Sequence, residues 1–354
     1  MTLSPVFRSP EAVRALGAEG VWDRLAAAAR GQAEANGAVG ADLRLVLDAA
    51  YVQDETSVAA EDEASRLSFI QRFFFLVFFR SVLETLGVTP ADLAFCSELN
   101  FCIKGTITAA DNLFDDQEKD LLSLRVGGGV RFPSIMQLLV FERLTARVLR
   151  RAVEGGCLTQ RAADDLQREL LSRMAAIGAL EGSEEGGVTS VLTPEKMLDS
   201  VHCVRGGQLF ELAFVAPRWL LAPVEEERLA KAQAAVSRLG TAFQIVDDLT
   251  DFEVDVRRGT HNLLVAQVTH RGTAAERNAL AEQRAAHASR GSDLVAEKFG
   301  DSARAVLAIA DAHVKTSLED LRALGFWLEP SLGRSLLRAL VGMEGVERMR
   351  ALAT

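Results

Sequence analysis

Apolar residues recur every three or four positions along almost the whole chain, with short Gly and Pro interruptions. That spacing lines one face of a helix. It predicts helices over about 9–34, 40–53, 60–87, 90–120, 133–156 and 158–181, then over 194–221, 224–256, 272–300, 301–325 and 329–351. Thr89-Pro90 and Thr193-Pro194 each place a capping hydroxyl before a proline at the first helical position, and Asp301 after Gly300 reads as a third cap. No stretch alternates with period two for long enough to make a strand, and no linker or repeat divides the chain. The expectation is one all-α domain over residues 1–354, an antiparallel helical bundle with glycine-bearing loops at 125–133 and 182–192.

Composition narrows the possibilities. Hydrophobic residues make up 49%, enough for a large core, and a net charge of −10 excludes the basic stripe a nucleic-acid binder needs. Cys96, Cys102, Cys157 and Cys203 lie in apolar segments without CxxC spacing and read as reduced residues of a cytoplasmic protein. The apolar run 73–79, between Arg72 and Arg80, is too short to span a bilayer, so no stable membrane insertion is expected. Its phenylalanines read mainly as core.

Two acidic clusters stand out. In AADNLFDDQEKD, Asp111 and Asp115 share a helix face one turn apart, with Asp116 beside them and Glu118 extending the face. In FQIVDDLTD, Asp247 and Asp251 repeat that spacing around Asp248. A lone cluster of this kind is ordinarily a solvated helix end. Two of them, each directly behind an apolar helical run, point instead to carboxylates held together by cations. Mg²⁺ takes oxygen ligands and binds through one or two carboxylates plus substrate phosphates. Facing aspartate pairs therefore suit a diphosphate that leaves as its charge is neutralised.

The segment FQIVDDLTDFEVD closely resembles the second aspartate-rich motif of the trans-polyprenyl (isoprenyl) diphosphate synthases, a family with an all-α bundle around a central cavity. DNLFDD resembles a modified first motif, with Asn112 at the usual second aspartate, and Arg205-Gly206 stands at the family's Lys-Thr pair. The three blocks occur in the family's order and cover at least residues 100–260. The resemblance implies that Asp111, Asp115, Asp247, Asp248 and Asp251, with Asp116 as a substitute, hold about three Mg²⁺ ions once substrate is bound. It also implies that Arg205 and Gln244 meet the diphosphate of the allylic substrate, and that the protein is a homodimer. By the same likeness, Thr106 and Ile107, one turn before the first aspartate, and Ala110 beside them set the tolerated chain length. None is aromatic, which suggests prenyl chains of roughly C15–C20 or longer.

The departures are as informative. The nearest match to the family's Gly-Gly-Lys-x-x-Arg-Pro, which holds isopentenyl diphosphate, is Gly40-Ala41-Asp42-Leu43-Arg44-Leu45, where only Arg44 remains. Lys104 sits where a histidine is common, and no Arg-Arg-Gly follows the first motif. The groups for ionising one allylic diphosphate are kept while those for a second are thinned. The sequence therefore favours a class I terpene synthase that cyclises or quenches the cation of one prenyl diphosphate. The alternatives are a chain-elongating prenyl diphosphate synthase, with Arg44, Lys104, Lys119, Arg125 and Arg131 rebuilding the second phosphate site, and a non-catalytic subunit of such an enzyme.

Overall fold

The computed structural model describes residues 20–53, 63–115, 119–129, 131–220, 225–286 and 294–330. All of 9–19, the expected helix 329–351 beyond 330, Asp116, Glu118 and the side chain of Asp115 lie outside them. Apart from one isolated antiparallel bridge between Val52 and Leu124, the regular structure of the described residues is helical. The main helices are α1 (Val21–Val46), α2 (Glu63–Thr85), α3 (Pro90–Asp115), α4 (Arg131–Glu154) and α5 (Gln160–Gly182). They are followed by α6 (Pro194–Met197), α7 (Glu226–Thr250), α8 (Phe252–Arg258), α9 (Leu263–Arg271), α10 (Ala274–Ala286), α11 (Leu294–Lys298) and α12 (Gly300–Ala323). The described residues fall into two compact units, one up to 170 with 212–229, the other 171–211 and 230 onward.

The first unit is built on α1 to α4. Its α1 is a single helix: Ala35, Val39, Asp42 and Leu43 continue the buried stripe of Leu25, Ala28 and Ala29 straight through Gly37 and Gly40. The sequence expectation of a break there is corrected, because tertiary burial outweighs the ~1 kcal/mol helix penalty of each glycine. Helices α3 and α4 run antiparallel. Glu98 meets Arg151 near one end, and the Phe141 ring lies so close to Gly105 that a Cβ there would stand 2.2 Å from it. A buried polar layer ties the same helices together. Gln32 Nε2 donates to the Ser97 carbonyl (3.1 Å), Arg80 to Ser97 Oγ (2.8 Å), and Asp42 accepts from Arg147 (3.0 Å) and Arg151. Phe69, Phe73, Phe74, Phe78 and Phe79 are buried, with Phe73 6.0 Å from the Phe101 ring and Phe79 6.2 Å from Phe214, so these rings are core.

In the second unit, Ala232, Ala235, Val236, Ala242, Ile245 and Leu249 form the buried stripe of α7. Ser317 Oγ of α12 donates to the Ala235 carbonyl (2.6 Å), and the Phe252 and Phe299 rings meet in a tilted contact, 5.1 Å between centroids. Helix α9 escaped the periodicity because its residues 263–268 are all buried, leaving no polar face to mark a period. The expected helix 224–256 breaks at Asp251, and the expected helix 194–221 becomes α6, a π-helical stretch Leu198–Gln208 and short 3₁₀ turns. Thr89 caps α3 through Asp92 N (3.2 Å). Asp301 is not a cap: α12 starts after Phe299, and Asp301 pairs with Arg304 in its first turn. All four cysteines are free, Cys96 and Cys102 buried and the other two half-buried. No helix among the described residues is long and apolar enough to cross a membrane.

Candidate functional site

The first acidic stretch closes α3. Asp111 is exposed, and Asp115 is the last residue of the helix. Between them, Asn112 points inward, 2% exposed, and grips the chain that follows: its Nδ2 donates to the Lys119 carbonyl (2.9 Å) and its Oδ1 accepts from Lys119 N (3.1 Å). A carboxylate could make only the second of these bonds, which is a physical reason for asparagine at this place. Gln137 Oε1 accepts from Leu121 N (3.3 Å), and Arg72 donates to the Asp120 carbonyl (3.2 Å), so the turn is fixed from α2, α3 and α4 together.

Lys104 lies two turns before Asp111. Loss of surrounding water pushes its ammonium below the usual lysine range; Lys119 and Arg72 push the same way and Asp111 opposes them. Lys104 thus lies within electrostatic reach of Lys119, Arg72 and Asp111, and Arg72 is not among the candidate cations of the sequence. Thr106 bonds back to the Cys102 carbonyl (3.1 Å), and Ile107 and Ala110 are half-buried. Arg44 is exposed in the last turn of α1.

The second stretch closes α7. Asp247 is half-buried, with Gln244 Nε2 3.4 Å from its Oδ2. Asp251 N donates to the Asp247 carbonyl (2.8 Å), keeping the two aspartates one turn apart although α7 has ended. Asp248 turns the other way and is buried. Its Oδ2 accepts from Leu263 N (2.5 Å) and lies 2.8 Å from His202 Nε2, while Gln244 Nε2 stands 3.5 Å from Oδ1. The sequence reading grouped Asp248 with the metal ligands; here its carboxylate is taken up inside the protein.

Asn262, 1% exposed, completes this cluster. Its Nδ2 donates to the Asp248 carbonyl (2.7 Å) and to Asp255 Oδ2 (2.8 Å), and its Oδ1 caps α9 at Leu264 N (2.9 Å). Burial, then the nearby Asp248 charge, push the Asp255 carboxyl up to about 8. With metal chelated, the folded protein should therefore keep a proton on Asp255 that the unfolded chain sheds near pH ~4. The stability this gives is complete below that pH and is lost as pH rises toward about 8. Asp255→Asn should flatten the fall of Tm between pH 5 and 8 in EDTA; an unchanged slope would contradict this.

Arg205 lies in the π-helical stretch, its side chain 14% exposed. It pairs through Nε with Glu181 (2.5 Å) and through Nη2 with Glu184 (2.8 Å). Glu184 Oε2 also accepts from His261 N (3.0 Å), and Val188 N donates to the Gly259 carbonyl (2.8 Å). The stretch 182–192, with its three glycines, is therefore pinned along 259–261 rather than left as a plain connection. The sequence analysis singles out none of His202, Asn262, Asp255, Glu181 and Glu184, because what they do comes from contacts that their spacing along the chain does not announce.

No three His, Cys, Asp or Glu side chains among the described residues converge tightly enough to hold a metal by themselves. Paired carboxylates without nitrogen or sulfur partners fit Mg²⁺, which takes its remaining ligands from substrate phosphates and water.

No protein-family model matches the sequence, and no curated protein does. Solved structures do resemble it. A geranylgeranyl pyrophosphate synthetase from Pyrococcus horikoshii Ot3 is 17% identical, with 94% of this chain and 99% of that one covered at a TM-score of 0.56. A polyprenyl synthase from Caulobacter crescentus CB15, solved with calcium and isoprenyl diphosphate, is 15% identical over 92% and 98% of the two chains, with a TM-score of 0.56. A decaprenyl diphosphate synthase from Rhodobacter capsulatus is 17% identical over 90% and 98%, with a TM-score of 0.55. The chain therefore has the all-α fold of the polyprenyl and geranylgeranyl diphosphate synthases, at a wide sequence distance from them.

Proposed function

We propose that this chain is a magnesium-dependent prenyltransferase that condenses an allylic prenyl diphosphate with isopentenyl diphosphate. The observation that carries the reading is that α3 and α7 each close on aspartates one turn apart, Asp251 lying one residue past the end of α7. Asp111, Asp115, Asp247 and Asp251 would hold the metal, which supplies positive charge to the departing diphosphate. Asp248, held by His202, Leu263 N and Asn262, serves as a positioning residue that fixes the end of α7 between its two neighbours. Gln244 and Arg205 orient the allylic diphosphate.

The sequence alone favoured quenching of a single cation inside one substrate. Two observations move the balance to condensation. The similar structures are prenyl diphosphate synthases, and Lys104 feels the charges of Lys119, Arg72 and Asp111, so basic groups that a second diphosphate needs as partners lie near the first motif. The terpene-synthase reading keeps one support: Ala41 stands where the elongating enzymes carry lysine, and Arg44 is exposed. Product analysis separates them. Farnesyl diphosphate with Mg²⁺ should give a longer diphosphate only when isopentenyl diphosphate is added. Hydrocarbon or alcohol from farnesyl diphosphate alone would establish the terpene synthase instead.

Thr106→Phe should shorten the longest product, since the added ring occupies the position one turn before the first aspartate; an unchanged product length would remove Thr106 from the chain-length determinants. Assembly as a homodimer is part of the same reading. Phe132, Ile135 and Leu139 leave an exposed apolar stripe along α4, the kind of face a partner covers. Ile135→Asp with Leu139→Asp should turn a dimer into a monomer by light scattering. A dimer that survives both changes uses another face.

A further inference from the structure

The two carboxylates on Arg205 are not equivalent. Glu184 is almost fully buried, its side chain 4% exposed, and each of its oxygens is engaged, one by Arg205 and the other by His261 N. Removing Arg205 from it would strand a buried charge, which is heavily penalised. Glu181 closes α5 with its side chain 33% exposed, and one of its oxygens meets Arg205 Nε. Water can take over Glu181 at little cost, and an ion pair at such a half-exposed position is worth no more than about 1 kcal/mol.

We propose that Glu181 is an exchangeable counter-ion for Arg205, displaced by the incoming diphosphate, while Glu184 is the permanent anchor that aims the guanidinium. This rests on the reading that Arg205 meets the substrate diphosphate, and it adds a specificity device to it. In the resting protein Glu181 neutralises a mostly buried cation. A ligand must outcompete that carboxylate, which favours a multiply charged diphosphate over a monophosphate. Arg205 keeps its place throughout because Glu184 ties it to the turn at 259–261 that follows the second aspartate motif.

The test is calorimetric binding of inorganic pyrophosphate with Mg²⁺ to the full chain and four variants, with thermal unfolding to confirm folding. Glu181→Gln should tighten pyrophosphate binding by about fivefold, the value of the competing ion pair it removes, and should narrow the preference over monophosphate. Glu181→Asp should bind as the wild type does. Glu184→Gln should weaken binding, since the guanidinium loses its anchor. Affinity that is unchanged or weaker in Glu181→Gln, with Arg205→Gln clearly weakened, would overturn the counter-ion role alone. Wild-type affinity in Arg205→Gln would overturn the contact between Arg205 and the diphosphate, and the inference with it.

Discussion

Asp111→Asn and Asp247→Asn should each lower kcat by about 1000-fold, and the double variant should lose little more than the worse single one. Each change preserves shape and removes one negative charge. Asparagine is a poor Mg²⁺ ligand beside a carboxylate, because the cation gains most from full negative charge on oxygen. If the two acidic helix ends serve the same chemical step, losing either removes most of the stabilisation of the departing diphosphate, and the second loss finds little left to remove. Steady-state kinetics of the three variants, at saturating Mg²⁺, gives the answer. Multiplicative losses would mean that the ends of α3 and α7 act in separate steps. Near-normal kcat in Asp111→Asn would return the first cluster to an ordinary solvated helix end.

The largest effect on stability is expected at Gly206 and Gly240. The π-helical stretch crosses α7 here with backbone against backbone: a Cβ on Gly206 would stand 2.2 Å from the Gly240 carbonyl oxygen and 2.9 Å from Gln244 Cβ, and one on Gly240 would stand 2.2 Å from the Gly206 oxygen. Neither obstacle is the end of a flexible side chain, so alanine forces the two helices apart. Gly206→Ala should cost about 3 kcal/mol or more in urea unfolding, the upper range for an overpacked core. The same shift separates Arg205 from Gln244, so the surviving folded fraction should bind pyrophosphate poorly. A loss below about 1 kcal/mol would mean that the crossing relaxes easily and does not set the site.

Much of this was legible from residues alone, where a pattern repeats. The helical period located most helices, Thr89 announced the start of α3, and the aspartate spacing marked both helix ends. What the sequence hid follows physical lines. Helix α9 is buried at every position from 263 to 268 and carries no period there. The local pattern ends one helix at 34 and starts another at 40, yet α1 runs on because its stripe is buried against α3 and α4. The π-helical stretch shifts register without any residue type that announces it. Within the second motif, Asp247 and Asp251 stand out by their one-turn spacing, but nothing in the residues announces that Asp248 turns inward to His202 and Leu263 N. The motif resemblance singles out Arg205, but not the two glutamates that hold it, because they lie about 20 residues earlier at the end of α5 and just past it.

The most direct measurement is release of inorganic pyrophosphate from farnesyl and geranylgeranyl diphosphate, with isopentenyl diphosphate present, as Mg²⁺ is titrated against EDTA. Release should appear with Mg²⁺, vanish with EDTA, and be absent from Asp247→Asn throughout. Release that persists without divalent metal, or at full rate in Asp247→Asn, would contradict carboxylate-held metal as the source of the chemistry.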